Sequence, residues 1–292
     1  MKSKYDIAII GTGPAGLSAA LNCYSRGKDL VLIGPKTGSK KVKLAERIDN
    51  YLGLGQIEGE KLNEKFLDTI ETYALNHVEA QVNSVYALPD TFFLELNDGN
   101  TVEAAAVIVA TGVATGKKFI GEDTFLGKGV SYCATCDGNL NKGKVVAVIG
   151  DNEEAISEAN FLQTIAKKTY YIDLGFGVSN LDKGIEVIPS KSVKIVGNER
   201  AEKLILDSEQ LLADSFFVIK EARLMANLIP GIEMNRNHVL VNRALETNLR
   251  GVYACGDITG LPYQISKAVG EGNVAGLNAS KFVERLNIDR KL

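Results

Sequence analysis

The feature that most constrains the fold is a strand–loop–helix–strand pattern at the start of the sequence. Residues 5–10 form a short apolar run, which is typical of a buried parallel strand. The stretch Gly11-Thr12-Gly13-Pro14-Ala15-Gly16 follows, then a helical pattern and a second apolar run over residues 30–33. Glycines spaced in this way let the backbone approach a pyrophosphate at a helix N-terminus, so the pattern predicts dinucleotide binding. No Asp or Glu closes the second strand, so we expect ribose recognition to come from elsewhere.

Length, charge and cysteine content limit the class of protein. The 292 residues suffice for two domains, and 45% hydrophobic with 24% charged residues is typical of a globular protein. A net charge of −3 argues against nucleic-acid binding, and no apolar run is long enough to cross a membrane. The first residues lead directly into a strand, and four cysteines are too few for a secreted disulfide framework. We therefore expect a cytoplasmic protein.

A close cysteine pair lies in the middle of the chain, in the run Ser131-Tyr132-Cys133-Ala134-Thr135-Cys136-Asp137-Gly138. Two cysteines at this spacing can alternate between a disulfide and a dithiol, and an adjacent carboxyl can move the proton that each electron pair requires. The alternative is half of a zinc site. Zinc would need two more ligands, and the remaining cysteines and histidines are singly placed; they are Cys23, Cys255, His77 and His238. The spacing therefore favours redox chemistry and no metal, with Cys23 and Cys255 as small core residues.

Between these motifs the sequence predicts regular elements and one basic segment. Residues 60–76 indicate an amphipathic helix, and residues 82–85, 92–96 and 101–102 an antiparallel meander. Residues 106–110 predict a separate buried strand that ends in Thr111-Gly112. Residues 34–47 are rich in lysine and are either a solvated loop or a basic surface beside the dinucleotide, facing its phosphates or an acidic partner.

A second strand–loop–helix pattern starts at Lys144 and has lost the features that bind a nucleotide. Its loop is Gly150-Asp151-Asn152-Glu153-Glu154-Ala155, in which Asn152 replaces a glycine and three acids occupy the place of a pyrophosphate. These carboxylates would repel a phosphate more than a helix dipole attracts it. Asp173 ends the next strand, where it could hold an NADH ribose, but the loop lacks the required glycines.

Four motifs in this order resemble one family, the low-molecular-weight thioredoxin reductases. They are GTGPAG from residue 11, ATG at 110–112, CATCDG at 133–138, and GVYACGD at 251–257 followed by Gln264. The resemblance implies an α/β, two-domain flavoprotein disulfide reductase. A Rossmann-like FAD-binding domain over 1–113 and 243–292 is interrupted by a smaller Rossmann-like domain over 114–242, which carries the cysteine pair on a degenerate pyridine-nucleotide fold. It also implies a homodimer and a rotation that presents the cysteines alternately to flavin and thioredoxin.

The resemblance further implies the roles of individual residues. Cys133 and Cys136 are the redox pair, with Cys136 nearer the flavin, and Asp137 is the proton-transfer acid. Asp257 binds the ribityl–phosphate end of FAD. The residues implied to contact FAD are Gly11, Gly13, Pro14, Ala15, Gly16, Gly34, Pro35, Lys40, Asn50, Val82, Ala110, Thr111, Gly112, Gly256, Asp257, Tyr263, Gln264 and Ile265.

The departures from the family pattern concern the electron donor. The family carries an intact glycine loop and a His-Arg-Arg segment for the 2′-phosphate of NADPH, and this chain has neither. The family's Gly-Gly-Gln-Leu near the flavin reads Gly38-Ser39-Lys40-Lys41. The pattern is most similar to the ferredoxin-dependent flavin thioredoxin reductases, with ferredoxin and thioredoxin as partners. The alternatives are a nicotinamide-dependent reductase with an atypical site, a reductase with another donor, and a non-enzymatic flavin and dithiol redox sensor or scaffold.

Overall fold

The computed structural model describes residues 4–113, 118–132, 134–207, 209–220, 228–235 and 237–289, without the side chains of Thr135 and Cys136. The chain divides into two compact units. Unit 1 comprises residues 1–43, 61–114 and 223–292, and unit 2 comprises residues 44–60 and 115–222. The predicted functional domains differ from these units in residues 44–60, 114 and 223–242, and their assignment to FAD and to the redox pair stays a prediction.

Unit 1 is built on a mixed sheet whose strand order is β3-β2-β1-β6-β5-β4, with β17 also paired to β6. Strands β1, β2, β3 and β17 run parallel to their neighbours, as the alternation of strands and helices predicts. The strands are β1 (Lys4–Ile10), β2 (Leu30–Ile33), β3 (His77–Val78), β4 (Val82–Leu88), β5 (Thr91–Leu96), β6 (Thr101–Val109), and β17 (Val252–Ala254); β15 (Met234–Asn235) and β16 (His238–Val239) form a separate pair.

Strand β6 corrects the sequence prediction, which divided it in two. Its first half pairs antiparallel with β5, and its second half pairs parallel with β1 and β17. Residues 103–105 continue the strand between the two predicted pieces because alternate positions, Val102, Ala104 and Ala106, are fully buried. One strand therefore joins the meander to the parallel sheet.

The helices of unit 1 cover the sheet and bury the two isolated cysteines. Gly272 and Gly276 of α7 face the backbone of α1, where a Cβ would lie 2.2 Å from the Ala15 carbonyl oxygen and 2.6 Å from that of Ala19. Cys23 and Cys255 are 0% exposed, which confirms them as core residues. Burial raises the pKa of the Cys23 thiol to about 12. The helices are α1 (Pro14–Ser25), α2 (Lys40–Lys43), α3 (Gly59–Thr72) and α7 (Ile265–Asp289), with a short 3-10 helix at Asp257–Thr259.

Unit 2 contains an all-parallel sheet in the order β10-β9-β8-β14-β7, with helix α6 packed on β8 and β9. A three-stranded antiparallel sheet in the order β11-β12-β13 packs on its other side. The strands are β7 (Val130–Ser131), β8 (Val145–Gly150), β9 (Lys168–Asp173), β10 (Glu186–Pro189), β11 (Val193–Gly197), β12 (Ala201–Leu206), β13 (Gln210–Leu212) and β14 (Ser215–Ile219). The helices are α4 (Glu122–Phe125), α5 (Ala134–Asp137), the 3-10 helix Gly138–Asn141 and α6 (Glu153–Gln163).

Both units thus have the strand–loop–helix construction that the sequence predicts. Within the described ranges, no helix is both long and apolar enough to span a bilayer.

Candidate functional site

The candidate cofactor residues of unit 1 leave the sheet at one edge. Ile10, at the end of β1, is in register with Ile33 of β2 and Val109 of β6, and Val109 is in register with Ala254 of β17. Ligands of parallel α/β sheets bind at the carboxyl ends of the strands. The segments that follow these four ends are residues 11–16, 34–35, 110–112 and 255–257, which contain most of the residues predicted to contact FAD.

The N-terminus of α1 fits a diphosphate group. Gly13 is the N-cap residue, no side chain caps the helix, and its first turn contains no acid. The backbone packs tightly around this point, since a Cβ on Gly16 would lie 1.9 Å from the Gly11 carbonyl oxygen. At Gly13 the space is open, with the nearest side-chain atom, Ser39 Cβ, 3.9 Å from the position of a Cβ. Uncapped N–H groups and the helix dipole favour an anion here.

Two further segments of unit 1 meet this helix end. Gly256 lies against the first turn of α1, because a Cβ there would be 2.8 Å from Ala15 Cβ. Asp257 follows, and its Oδ2 lies 3.6 Å from Lys41 Nζ of α2. Burial raises the pKa of the Asp257 carboxyl, and the nearby charges of Lys41 and Lys267 oppose that rise. Lys41 also lies 5.3 Å from the centre of the Tyr263 ring.

The sequence prediction names Lys40 as a contact of FAD and not its neighbour Lys41, which the structure places beside Asp257. Lys40 and Lys43 are exposed on α2, whereas Lys41 is partly buried. The two lysines are about 100° apart around the helix, Val42 is buried, and Lys41 is the one that lies beside Asp257. A basic residue next to a buried carboxylate and an open helix N-terminus suits the diphosphate and ribityl part of FAD.

A second group beside Asp257 was also missed. Lys267 Nζ donates to the Gly256 carbonyl oxygen at 3.0 Å and to Glu271 Oε2 at 3.2 Å. Glu271 Oε2 in turn accepts from the Gly256 N–H and from Thr259 Oγ1, both at 2.8 Å. This network fixes the turn that presents Asp257. The i, i+4 spacing of Lys267 and Glu271 was visible in the sequence, but their target was not.

The remaining predicted cofactor residues occupy different surroundings. The hydroxyl of Tyr263 and Nε2 of His238 are 2.6 Å apart, and burial together with the Lys267 charge lowers the pKa of His238. Gln264 precedes α7 and Ile265 begins it. Val82 begins β4 with its side chain in the core. Asn50 is exposed and belongs to unit 2.

The corresponding loop of unit 2 does not fit a nucleotide diphosphate. Asn152 Oδ1 accepts from the Ala155 N–H at 2.9 Å and so caps α6, and Glu153 and Glu154 fill its first turn. Asp173, the candidate ribose ligand, is engaged by its own loop. Its Oδ1 accepts from the N–H groups of residues 175, 176 and 177 at 2.9, 3.0 and 3.2 Å.

The redox segment of unit 2 is described in part. Cys133 and the side chain of Cys136 lie outside the described residues, so their predicted roles stay predictions. Asp137 is the last residue of α5, and Ser131 Oγ donates to its Oδ2 at 2.6 Å. Burial raises the pKa of the Asp137 carboxyl, as proton transfer near neutral pH requires.

A buried charged cluster adjoins the residue that precedes Cys133. Glu122 Oε1 accepts from the Tyr132 hydroxyl at 2.8 Å, and Glu122 Oε2 pairs with Lys220 Nζ at 2.8 Å. The side chains of Glu122 and Lys220 are 0% and 6% exposed. Because Tyr132 follows β7 and Lys220 follows β14, this cluster joins the end of β7, from which the redox segment starts, to the end of the neighbouring strand β14.

Comparison with known proteins agrees with these features. The sequence profile described as pyridine nucleotide-disulphide oxidoreductase matches residues 5–272. The thioredoxin reductase of Mycoplasma genitalium is 31% identical, over 94% of this chain and 93% of that protein. The thioredoxin reductase of Listeria innocua is 29% identical, over 97% and 95%.

Two solved structures extend the comparison. A ferredoxin-flavin thioredoxin reductase from Clostridium acetobutylicum is 41% identical with a TM-score of 0.61, over 98% of this chain and 100% of that chain. Thioredoxin reductase from Streptococcus pyogenes has a TM-score of 0.86 at 24% identity, over 98% and 100%, which bears on the fold alone. The predicted fold class, family and FAD cofactor are confirmed. The chain belongs to the pyridine nucleotide-disulphide oxidoreductase family and, within it, to the thioredoxin reductases, which are FAD flavoproteins.

Proposed function

We propose that this chain is a thioredoxin reductase that takes electrons from reduced ferredoxin. They pass through FAD to the Cys133–Cys136 disulfide and then to thioredoxin. The observation that carries the choice of donor is the N-terminus of α6, which is capped by Asn152 and carries Glu153 and Glu154 in its first turn.

The contrast between the two units supports this choice. The helix that follows β1 presents an uncapped, acid-free N-terminus, whereas the helix that follows β8 presents a capped and acidic one. A diphosphate is disfavoured at the N-terminus of α6, because the carboxylates of Glu153 and Glu154 would repel it. Asp173 Oδ1 accepts from three backbone N–H groups of its own loop, so one of the two carboxylate oxygens that could bind a ribose is already engaged.

The relatives support the acceptor and one of them supports the donor. The curated relatives named above are thioredoxin reductases, and the solved structure at 41% identity is a ferredoxin-flavin thioredoxin reductase. The sequence of the redox segment, with Cys133, Cys136 and Asp137 in succession, provides the dithiol and the acid that the reaction needs.

The residues of this chain have separable tasks in that reaction. The N-terminus of α1, Asp257 and Lys41 hold FAD, which supplies the electron pair for the disulfide when bound. The reduced pair then exchanges with the thioredoxin disulfide: both enzyme thiols become a disulfide and both thioredoxin sulfurs become thiols. In each of the two exchange steps, Asp137 accepts a proton from the attacking enzyme thiol and returns it to the departing thioredoxin thiolate.

Reduction potentials permit ferredoxin as the donor. A ferredoxin at about −400 mV and a thioredoxin at about −270 mV differ by roughly 130 mV, or about 6 kcal/mol for two electrons.

Ferredoxins are usually acidic, and this chain carries a net charge of −3, so attraction between them requires a local basic patch. Lys36, Lys40 and Lys43 are exposed in unit 1 and form the proposed dock. Lys41 is assigned to the cofactor instead. The proposal includes a homodimer in the cytoplasm, as the resemblance implies.

Reconstituted turnover tests the proposal. Thioredoxin disulfide is supplied together with reduced ferredoxin in one reaction and with NADPH or NADH in another, and free thiols are measured over time. We expect continuous thiol release with ferredoxin and none with either nucleotide. Cys136→Ser should retain FAD but release no thiols, because the cysteine pair lies outside the dinucleotide loop. Turnover with NADPH would identify a nicotinamide-dependent reductase, and no turnover with any of the three donors would favour a reductase with another donor or a redox sensor.

A further inference from the structure

The carboxyl group of Asp137 has two oxygens in different surroundings. Its Oδ2 accepts a short hydrogen bond of 2.6 Å from Ser131 Oγ. Ser131 is the last residue of β7 and stands two residues before Cys133 in the sequence. Asp137 Oδ1 is buried and has no hydrogen-bond partner among the described residues. A buried carboxyl oxygen without a partner is costly, so a specific reason for it is expected.

Helix capping does not provide that reason. Asp137 is the N-cap residue of the 3-10 helix Gly138–Asn141, a position where an Asp side chain usually accepts a backbone N–H. Here the carboxyl makes no capping hydrogen bond. The turn is held by other groups: Asn141 Nδ2 donates to the Asp137 carbonyl oxygen at 2.9 Å. Gly138 packs against α6, where its Cβ would lie 2.8 Å from Phe161. The carboxyl is therefore not needed to fold the turn.

The groups around Asp137 shift the pKa of its carboxyl in opposite directions. Burial raises the pKa of Asp137, and the carboxylates of Glu46 and Asp49, from the segment 44–60 of the same unit, raise it further. Arg47 is bound to Asp49 through two hydrogen bonds of 2.8 Å. The hydrogen bond from Ser131 acts in the opposite direction and stabilises the carboxylate.

We propose that Ser131 is a positioning residue for Asp137. Its hydroxyl holds Oδ2 and leaves Oδ1 without a hydrogen bond among the described residues, and in this proposal Oδ1 exchanges protons with the redox pair. In each of the two exchange steps, Oδ1 takes a proton from the attacking thiol of this chain and gives it to the thioredoxin sulfur released from the disulfide that breaks, so no other reactant is needed. This inference rests on the proposed function, because it assumes that Asp137 is the acid of disulfide exchange.

The pH dependence of cysteine alkylation tests the proposal without thioredoxin or an electron donor. The FAD-loaded protein is reduced with dithiothreitol, and iodoacetamide modification of the pair is followed across the pH range. In the wild type we expect an inflection from Asp137 in addition to that of the thiols, and Asp137→Asn should remove it. Ser131→Ala should move this inflection upward by about one pH unit, the effect of losing one hydrogen bond to a carboxylate. Ser131→Thr keeps a hydroxyl and should stay close to the wild type.

The outcomes separate the positioning role from a structural one and from the proposed function. Flavin absorbance and the thermal midpoint show whether each variant is folded. A Ser131→Ala profile that coincides with the wild type, while Asp137→Asn loses the inflection, would overturn the role of Ser131. So would an equal shift in Ser131→Thr and Ser131→Ala. Failure of the wild type to reduce thioredoxin with any donor would overturn the proposed function, and it is measured in a separate reaction.

Discussion

Replacing Lys41 with methionine is expected to weaken FAD binding selectively. Methionine preserves most of the apolar stem of lysine and removes its charge. The ammonium group lies 3.6 Å from Asp257 Oδ2. It belongs to α2, and Ser39, the residue that precedes α2, lies beside Gly13, the N-cap of α1. An anionic diphosphate bound at that helix end would therefore lose its nearby cation.

The size of the effect follows from the burial of the group. A hydrogen bond to a charged group contributes about 1.5–3 kcal/mol, and each 1.4 kcal/mol is about a tenfold change in a dissociation constant. The Lys41 side chain is 35% exposed, so solvent screening places the loss at the lower end of that range. We expect the dissociation constant of FAD to rise by about tenfold.

Titration of FAD into the apoprotein, followed by flavin fluorescence, measures this change. Lys43→Met on the same short helix is the matched control and should bind FAD as the wild type does, because Lys43 is exposed. Lys40→Met tests the residue that the sequence alone would choose. An unchanged constant for Lys41→Met, or a larger loss for Lys40→Met, would refute the assignment.

Two further predictions concern the buried ion pair and the basic patch. Lys220→Met should destabilise unit 2 by about 3–5 kcal/mol in urea unfolding, because it leaves the fully buried carboxylate of Glu122 unpaired. Lys168→Met, which breaks an exposed pair with Glu186, is the control and should change little; equal losses in the two variants would contradict the reasoning. Replacing Lys40 and Lys43 with Glu should slow flavin reduction by ferredoxin at low salt, and added salt should shrink the difference from the wild type. Reduction by dithionite should be unaffected, and an equal ferredoxin rate at low ionic strength would place the dock elsewhere.

The sequence predicted the parts of the fold that depend on local patterns. The glycine loop after residues 5–10, the Gly256-Asp257 turn and the degenerate loop at residues 150–155 all lie where spacing and residue type indicate. Each is a short backbone motif whose glycines or acids act within a few residues of one another. Such motifs can be recognised without knowing what packs against them.

Side-chain direction and distant pairing were not predictable in this way. Lys40 and Lys41 are equivalent in the sequence, and only the folded chain shows that Lys41 is the one beside Asp257. Glu122 and Lys220 are 98 residues apart, and no periodic pattern connects them. The continuity of β6 was missed because residues 103–105 read as a break, although their alternation continues that of the strand.

The electron donor is tested most directly by the flavin spectrum under anaerobic conditions. The purified, FAD-loaded protein is mixed with millimolar NADPH or NADH, and in a parallel sample with reduced ferredoxin. We expect the flavin to stay oxidised for minutes with either nucleotide and to be bleached by ferredoxin, because the α6 N-terminus is capped and acidic. Bleaching within seconds by NADPH or NADH would contradict the assignment of ferredoxin as the donor.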